Sequence, residues 1–178
     1  MKERLIYRLL IFMLIFSFIP IKLNAQEISY NLQPNTIQDL KGKDEIVKNL
    51  EEIKRIRNQM YTIDMNSLTA KNKSAELEKQ INFYRNELNS VKNDIDVFKK
   101  TYSNSYEDTL LAEQMSFIVY SFDLTLAEQF NLLQRLKTGD IDASKLFFSD
   151  YLTHIYFYLN LGDQMLAYID TYYINKLK

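Results

Sequence analysis

Residues 46–102 read IVKNLEEIKRIRNQMYTIDMNSLTAKNKSAELEKQINFYRNELNSVKNDIDVFKKTY, and the fold is decided by how this stretch is stepped through. Alternating strides of three and four reach Ile46, Asn49, Ile53, Ile56, Met60, Ile63, Ser67, Ala70, Ser74, Leu77, Ile81, Tyr84, Leu88, Val91, Ile95, Phe98 and Tyr102 without a slip of register. Fourteen of these seventeen positions are apolar, and the residues between them are mostly Lys, Arg, Glu, Asp, Asn and Gln. That pattern describes helix burying one narrow seam against another helix. Unbroken, it would run roughly 85 Å at about 1.5 Å per residue. Its weak point is Asp64–Ser74, where the stripe thins to Ser67, Ala70 and Ser74. The kept register favours a continuous helix here, with small residues admitting a close neighbour. A hairpin turn is the alternative.

The flanks agree with an all-α fold. From Lys43 to Thr138 the chain holds neither Gly nor Pro, which argues against a sheet with tight turns. Thr101–Asp108 is a joint, because Ser103, Asn104 and Ser105 compete for backbone hydrogen bonds and Ser105 precedes Asp108 by three, as at a capped helix start. A second helix is predicted over about 106–137, with Leu111, Met115, Ile118, Phe122, Leu132 and Leu136 on one stripe and a candidate kink at Asp123–Thr125. Gly139 stops it. A third, over about 145–177, carries two stripes. One is Phe148, Leu152, Ile155, Leu159, Gly162, Leu166, Ile169 and Tyr173; the other is Phe147, Tyr151, His154, Tyr158, Leu161, Met165, Tyr168 and Tyr172. A helix apolar on two flanks packs between two neighbours.

Residues 1–25 read as a cleaved secretory signal peptide. Lys2, Arg4 and Arg8 precede the apolar run Leu9–Ile19, Pro20 ends it, and Leu23-Asn24-Ala25 offers a small residue before Gln26. The run is short for a membrane span of roughly 20 residues. Cleavage would remove Lys2, Arg4, Arg8 and Lys22 against the single Glu3, taking the formal net charge from −1 to −4 over 153 residues. Residues 26–42 form an extended leader, and 43–178 form the helical domain. Dispersed Lys and Arg argue against nucleic acid as a partner. The chain has no cysteine, so no disulfide framework supports it.

The residue inventory points away from catalysis. There is no Cys nucleophile, His154 is the single histidine, and Gly42, Gly139 and Gly162 are too isolated for a phosphate loop. A zinc site needs several His or Cys ligands. Asp94 and Asp96 point to different helix faces, and Asp140 with Asp142 suits a solvated, helix-capping turn. The expectation is a non-enzyme with no cofactor and no metal.

The stretch Leu132-Leu133-Gln134-Arg135-Leu136-Lys137-Thr138-Gly139-Asp140-Ile141-Asp142, followed by Tyr151-Leu152, Tyr158-Leu159 and Tyr168-Ile169-Asp170-Thr171-Tyr172-Tyr173-Ile174-Asn175-Lys176-Leu177, resembles the C-terminal helical hairpin of TolC-type outer-membrane efflux proteins. The resemblance covers about 107–177. Barrel strands of the kind the family carries are not seen. It implies that Gly139, Asp140, Ile141 and Asp142 form a hairpin tip that contacts an envelope adaptor protein. The function expected is that of an exported helical protein, periplasmic or outer-membrane-associated, acting through coiled-coil contacts as a TolC-like component of envelope export. The alternative is a structural or chaperone-like periplasmic coiled coil with no transport role. In that alternative, self-association or partner binding runs along the seam, at Ile81, Leu88 and Ile95.

Overall fold

The computed structural model describes residues 40–61, 63, 65–138, 145 and 151–174. Among them the fold is all-α, with no strand. Helices α1 (Lys43–Met60), α2 (Ser67–Asn72), α3 (Ser74–Thr101) and α4 (Tyr106–Lys137) come first. A π-helical turn, Tyr151–Ile155, then leads into α5 (Tyr156–Ile169), and a second, Asp170–Ile174, continues from it.

The seam stretch is therefore three helices, where an unbroken one was expected. Helix α1 stops at Met60, and Asn66 restarts the chain with an extended backbone (φ −141°, ψ 172°). The Asn66 side chain accepts from the N–H groups of Leu68 (3.0 Å) and Thr69 (2.9 Å), and the Thr69 hydroxyl accepts from the Asn66 N–H (2.9 Å). This reciprocal capping box satisfies donors that a helix start leaves orphaned. Lys73 (φ −129°, ψ 25°) separates α2 from α3. The apolar stride survives because Ile63, Met65 and Ala70 are buried in the same core as the helices on either side.

Long-range polar contacts fix the directions. Tyr102 donates to Glu45 (3.1 Å) and Arg55 pairs with Glu87 (2.7 Å), so α3 runs back along α1. Lys99–Glu113 (3.4 Å), Arg85–Asp123 (2.8 Å) and Lys137–Glu78 (3.1 Å) set α4 antiparallel to α3. Arg57–Asp163 (2.6 Å) and Lys54–Asp170 (2.7 Å) tie α5 to α1, again antiparallel. The four long helices thus make an up-down-up-down bundle around one core. Phe98, Phe122, Ile46, Ile53, Met115 and Ile118 are among its fully buried side chains.

Helix α4 is continuous through Asp123–Thr125, with no capped restart there. Thr125 instead donates to the Ser121 carbonyl one turn back (2.9 Å), and its side chain is buried. Ser105 likewise does not cap α4 with its side chain; its hydroxyl donates to Asp108. Asp108 is fully buried and also accepts the N–H groups of Gly42 (2.9 Å) and Lys41 (3.2 Å), joining the α3–α4 turn to the start of α1.

Gly162 sits where α5 crosses α4. A Cβ there would lie 2.8 Å from Phe122 Cδ1 and closer still to Cε1. Alanine should gain about 1 kcal/mol in helix propensity, while overpacking should cost about 1–3 kcal/mol. Gly162→Ala is therefore expected to lower the unfolding free energy by up to about 2 kcal/mol in urea denaturation. Adding Phe122→Leu should return part of that loss; a Gly162→Ala chain more stable than the parent would mean that Phe122 does not set this approach.

Candidate protein-contact surface

The seam residues come first. Ile81, Leu88 and Ile95 are 0%, 1% and 0% exposed. As a place for a second molecule, the seam is already filled by this chain's own helices. Gly139, Asp140, Ile141 and Asp142 lie outside the described residues.

The two stripes of the last helix have different fates. Ile155, Gly162, Leu166, Ile169 and Tyr173 are buried against the bundle. On the other stripe, Tyr158, Leu161 and Met165 are only half-buried, and His154, Tyr168 and Tyr172 are exposed. Helix α4 packs on the first stripe and α1 holds an edge of the helix through Arg57 and Lys54; among the described residues nothing covers the second stripe. The rings are nonetheless ordered against each other, with Tyr168 and Tyr172 tilted at 4.8 Å between centroids and Tyr168 edge-on to Tyr173 at 6.3 Å. Offset and edge-on geometries are those that aromatic pairs prefer.

Beside this stripe, α4 presents Leu110, Gln114 and Phe117 at helical spacing, with Leu110 and Phe117 well exposed. Between the helices lies a groove of about 310 Å³ lined by Gln114, Leu161, Gln164, Met165 and Tyr168. The Gln114 amide hydrogen-bonds the Tyr173 hydroxyl, while its Oε1 is buried with no partner. The sole charged residue of α5 is Asp163, and it is turned away, onto Arg57 of α1. The surface is thus uncharged and aromatic, with one orphan acceptor in its wall. Such a groove suits an amphipathic helix laid into it.

The Arg57 contact was invisible in the sequence, where Arg57 is one more polar residue between stripe positions. It is 5% exposed, donates twice to Asp163 (2.6 Å each) and once to the Tyr61 hydroxyl (2.7 Å), and lies 3.9 Å over the Tyr61 ring. The bidentate fork is the geometry guanidinium is shaped for. It locks the α1–α5 edge and leaves the opposite flank of α5 as the open one.

Among the described residues no His, Cys, Asp and Glu side chains gather in threes as metal ligands would. No helix among them is long and apolar enough to cross a membrane. Of the carboxylates noted in the sequence, Asp96 is paired with Lys99 (3.0 Å) and Asp94 is exposed. Among the described residues, fold and surface define an all-α antiparallel bundle with an uncovered aromatic flank. In comparisons with known proteins, no family model, no curated protein and no solved structure matches the chain.

Proposed function

We propose that this chain is an exported, non-catalytic helical protein that works by protein contact, and that its first contact is with a second copy of itself through the α4–α5 flank. One observation carries the reading: among the described residues nothing covers the second apolar stripe of the last helix, while its Tyr168 and Tyr172 pack ring against ring. The patch is also self-complementary. It holds both an orphan acceptor, Gln114 Oε1, and exposed tyrosine hydroxyls able to donate, which a two-fold contact can bring together. Export is supported by the basic, apolar and Leu23-Asn24-Ala25 pattern of the first 25 residues.

Tyr168→Glu with Tyr172→Glu is the test. The unaltered chain is expected to sediment as a dimer, and the double variant as a monomer with unchanged helicity, since both side chains are exposed. A monomeric parent across the accessible concentration range, or a variant of unaltered mass, would sink the proposal.

The efflux reading adds a second contact at Gly139–Asp142. It draws support from the antiparallel packing of α4 against α5, the pair of helices on which the TolC-like resemblance rests. It is tested separately: Asp140→Lys with Asp142→Lys should abolish co-purification with an envelope adaptor while leaving dimerisation intact. Failure of the parent to retain an adaptor would remove the transport role and leave the structural or chaperone-like one.

A further inference from the structure

A second surface, on the other side of α4, carries different chemistry. Asn82, Asn86, Asn89 and Asn93 follow one another on α3 at spacings of four, three and four. At 3.6 residues per turn they fall within an arc of roughly 60° and span about 16 Å. All four are exposed, and among the described residues none of their amides hydrogen-bonds to another group of the protein. Asparagine is among the poorer helix formers, because its short amide competes for nearby backbone. Where α3 needs only solvated positions it uses Glu76, Lys79 and Lys100. Helix stability therefore does not account for the row.

Three of the four, Asn82, Asn86 and Asn89, form one wall of a groove of about 390 Å³ between α3 and α4. Ser116 and Tyr120 of α4 stand opposite, and the Tyr120 side of the groove is open, with that residue 61% exposed. The one strong charge pair in the groove cancels itself: Arg85 donates to both oxygens of Asp123, at 2.8 and 3.3 Å. Apart from Lys92, which adds one positive charge to the lining, the wall is uncharged and offers donors and acceptors in equal supply, since each amide provides both. An aromatic ring supplies a face to stack on.

That combination recognises a hydroxyl-rich ring compound. Nucleic acid would require several free basic groups along the groove; the Arg85 guanidinium is committed to Asp123, which leaves Lys92 alone. Length separates the two remaining linear ligands. The amides recur on average about every 5.5 Å at 1.5 Å per residue. Equivalent groups of an extended peptide recur about every 6.7 Å, so a peptide drifts roughly 3–4 Å out of register over the row. A linear chain of β-linked pyranose rings advances at each ring by nearly the spacing of the amides and keeps step. We propose that the α3–α4 groove binds a linear oligosaccharide, with the asparagine row hydrogen-bonding its hydroxyls and Tyr120 stacking on one ring.

The experiment titrates the full chain with two probes, the β-1,4-linked hexamers of glucose and of N-acetylglucosamine, by calorimetry. Saturable binding of at least one is expected. Asn86→Ala with Asn89→Ala should weaken it about tenfold through the lost hydrogen bonds, while raising the melting temperature because alanine is the better helix former. That opposition separates a binding role from a structural one. Tyr120→Ala should weaken binding with little change in melting temperature. Absence of binding by both hexamers overturns the proposal, as does unchanged affinity in the double variant. Asparagine-dependent binding of an extended Gly-Ser peptide in place of the sugars overturns it in favour of a peptide site.

Discussion

Leu88→Asp is expected to abolish the helical circular dichroism of the chain, whereas Leu88→Ala should keep it and lower the unfolding free energy by about 3 kcal/mol. Leu88 is 1% exposed and sits in the seam between Ile81 and Ile95, both fully buried. Truncation to alanine removes apolar contacts and leaves a cavity. Aspartate does the same and also places a carboxylate among aliphatic side chains. An unpaired buried charge costs several kcal/mol beyond the lost packing. The sum takes most of the roughly 5–15 kcal/mol that holds a domain of this size together. The competing view, in which the seam is the face offered to a partner, makes a different forecast. Leu88→Asp would then leave helicity intact and change only the mass of the assembly, and that outcome would overturn the closed bundle.

How much was legible in the sequence follows from what a stripe can say. A heptad-like stride reports that each segment buries one face. It does not report whether the covering surface belongs to the same chain. Residues 46–102 met the stride in full although the chain turns back on itself within them, because Ile63, Met65 and Ala70 pack into the core that α1 and α3 share. The cap at the restart is Asn66-x-x-Thr69, a weaker signature than Ser or Thr followed by Glu, and the register runs unbroken across it. All-α character, by contrast, was readable from the missing Gly and Pro.

The candidate surface was half legible. The two stripes of the last helix stood out in the sequence, and the need for two neighbours follows from them. Which stripe stays open depends on Arg57, whose fork onto Asp163 holds the α1 side of α5. A single arginine more than a hundred residues away from its partner leaves no local signal. The asparagine row is the reverse case. Its spacing is plain in the sequence, but it reads as part of a solvated face until the groove beside it, with Tyr120 opposite, is seen.

Asp108→Ala is expected to cost about 3–4 kcal/mol at neutral pH, and the cost should shrink in acid. Burial by itself pushes the Asp108 carboxyl up, but the hydrogen bonds from Ser105, Gly42 and Lys41 outweigh it and hold the group below its ordinary value. Each bond to a charged acceptor contributes about 1.5–3 kcal/mol, and truncation leaves two backbone N–H groups and a hydroxyl without an acceptor at a buried joint. The sign of the pH dependence is fixed by the direction of that shift. A carboxyl that is more acidic folded than unfolded stabilises the fold fully above the unfolded value, near 3.9 for aspartate, and loses that stabilisation as pH falls through the folded value. Urea denaturation of parent and variant should therefore show the full gap at pH 7, and the gap should narrow as the pH is taken below the unfolded value. Asp108→Asn separates charge from shape, since it keeps one acceptor and should recover part of the loss without the acid dependence. A parent–variant gap of the same size at pH 7 and in acid would mean that the joint is held by packing alone. The packing in question is that of Gly42, where any Cβ would lie 2.6 Å from Tyr102 Cε2 and would also press on Phe98.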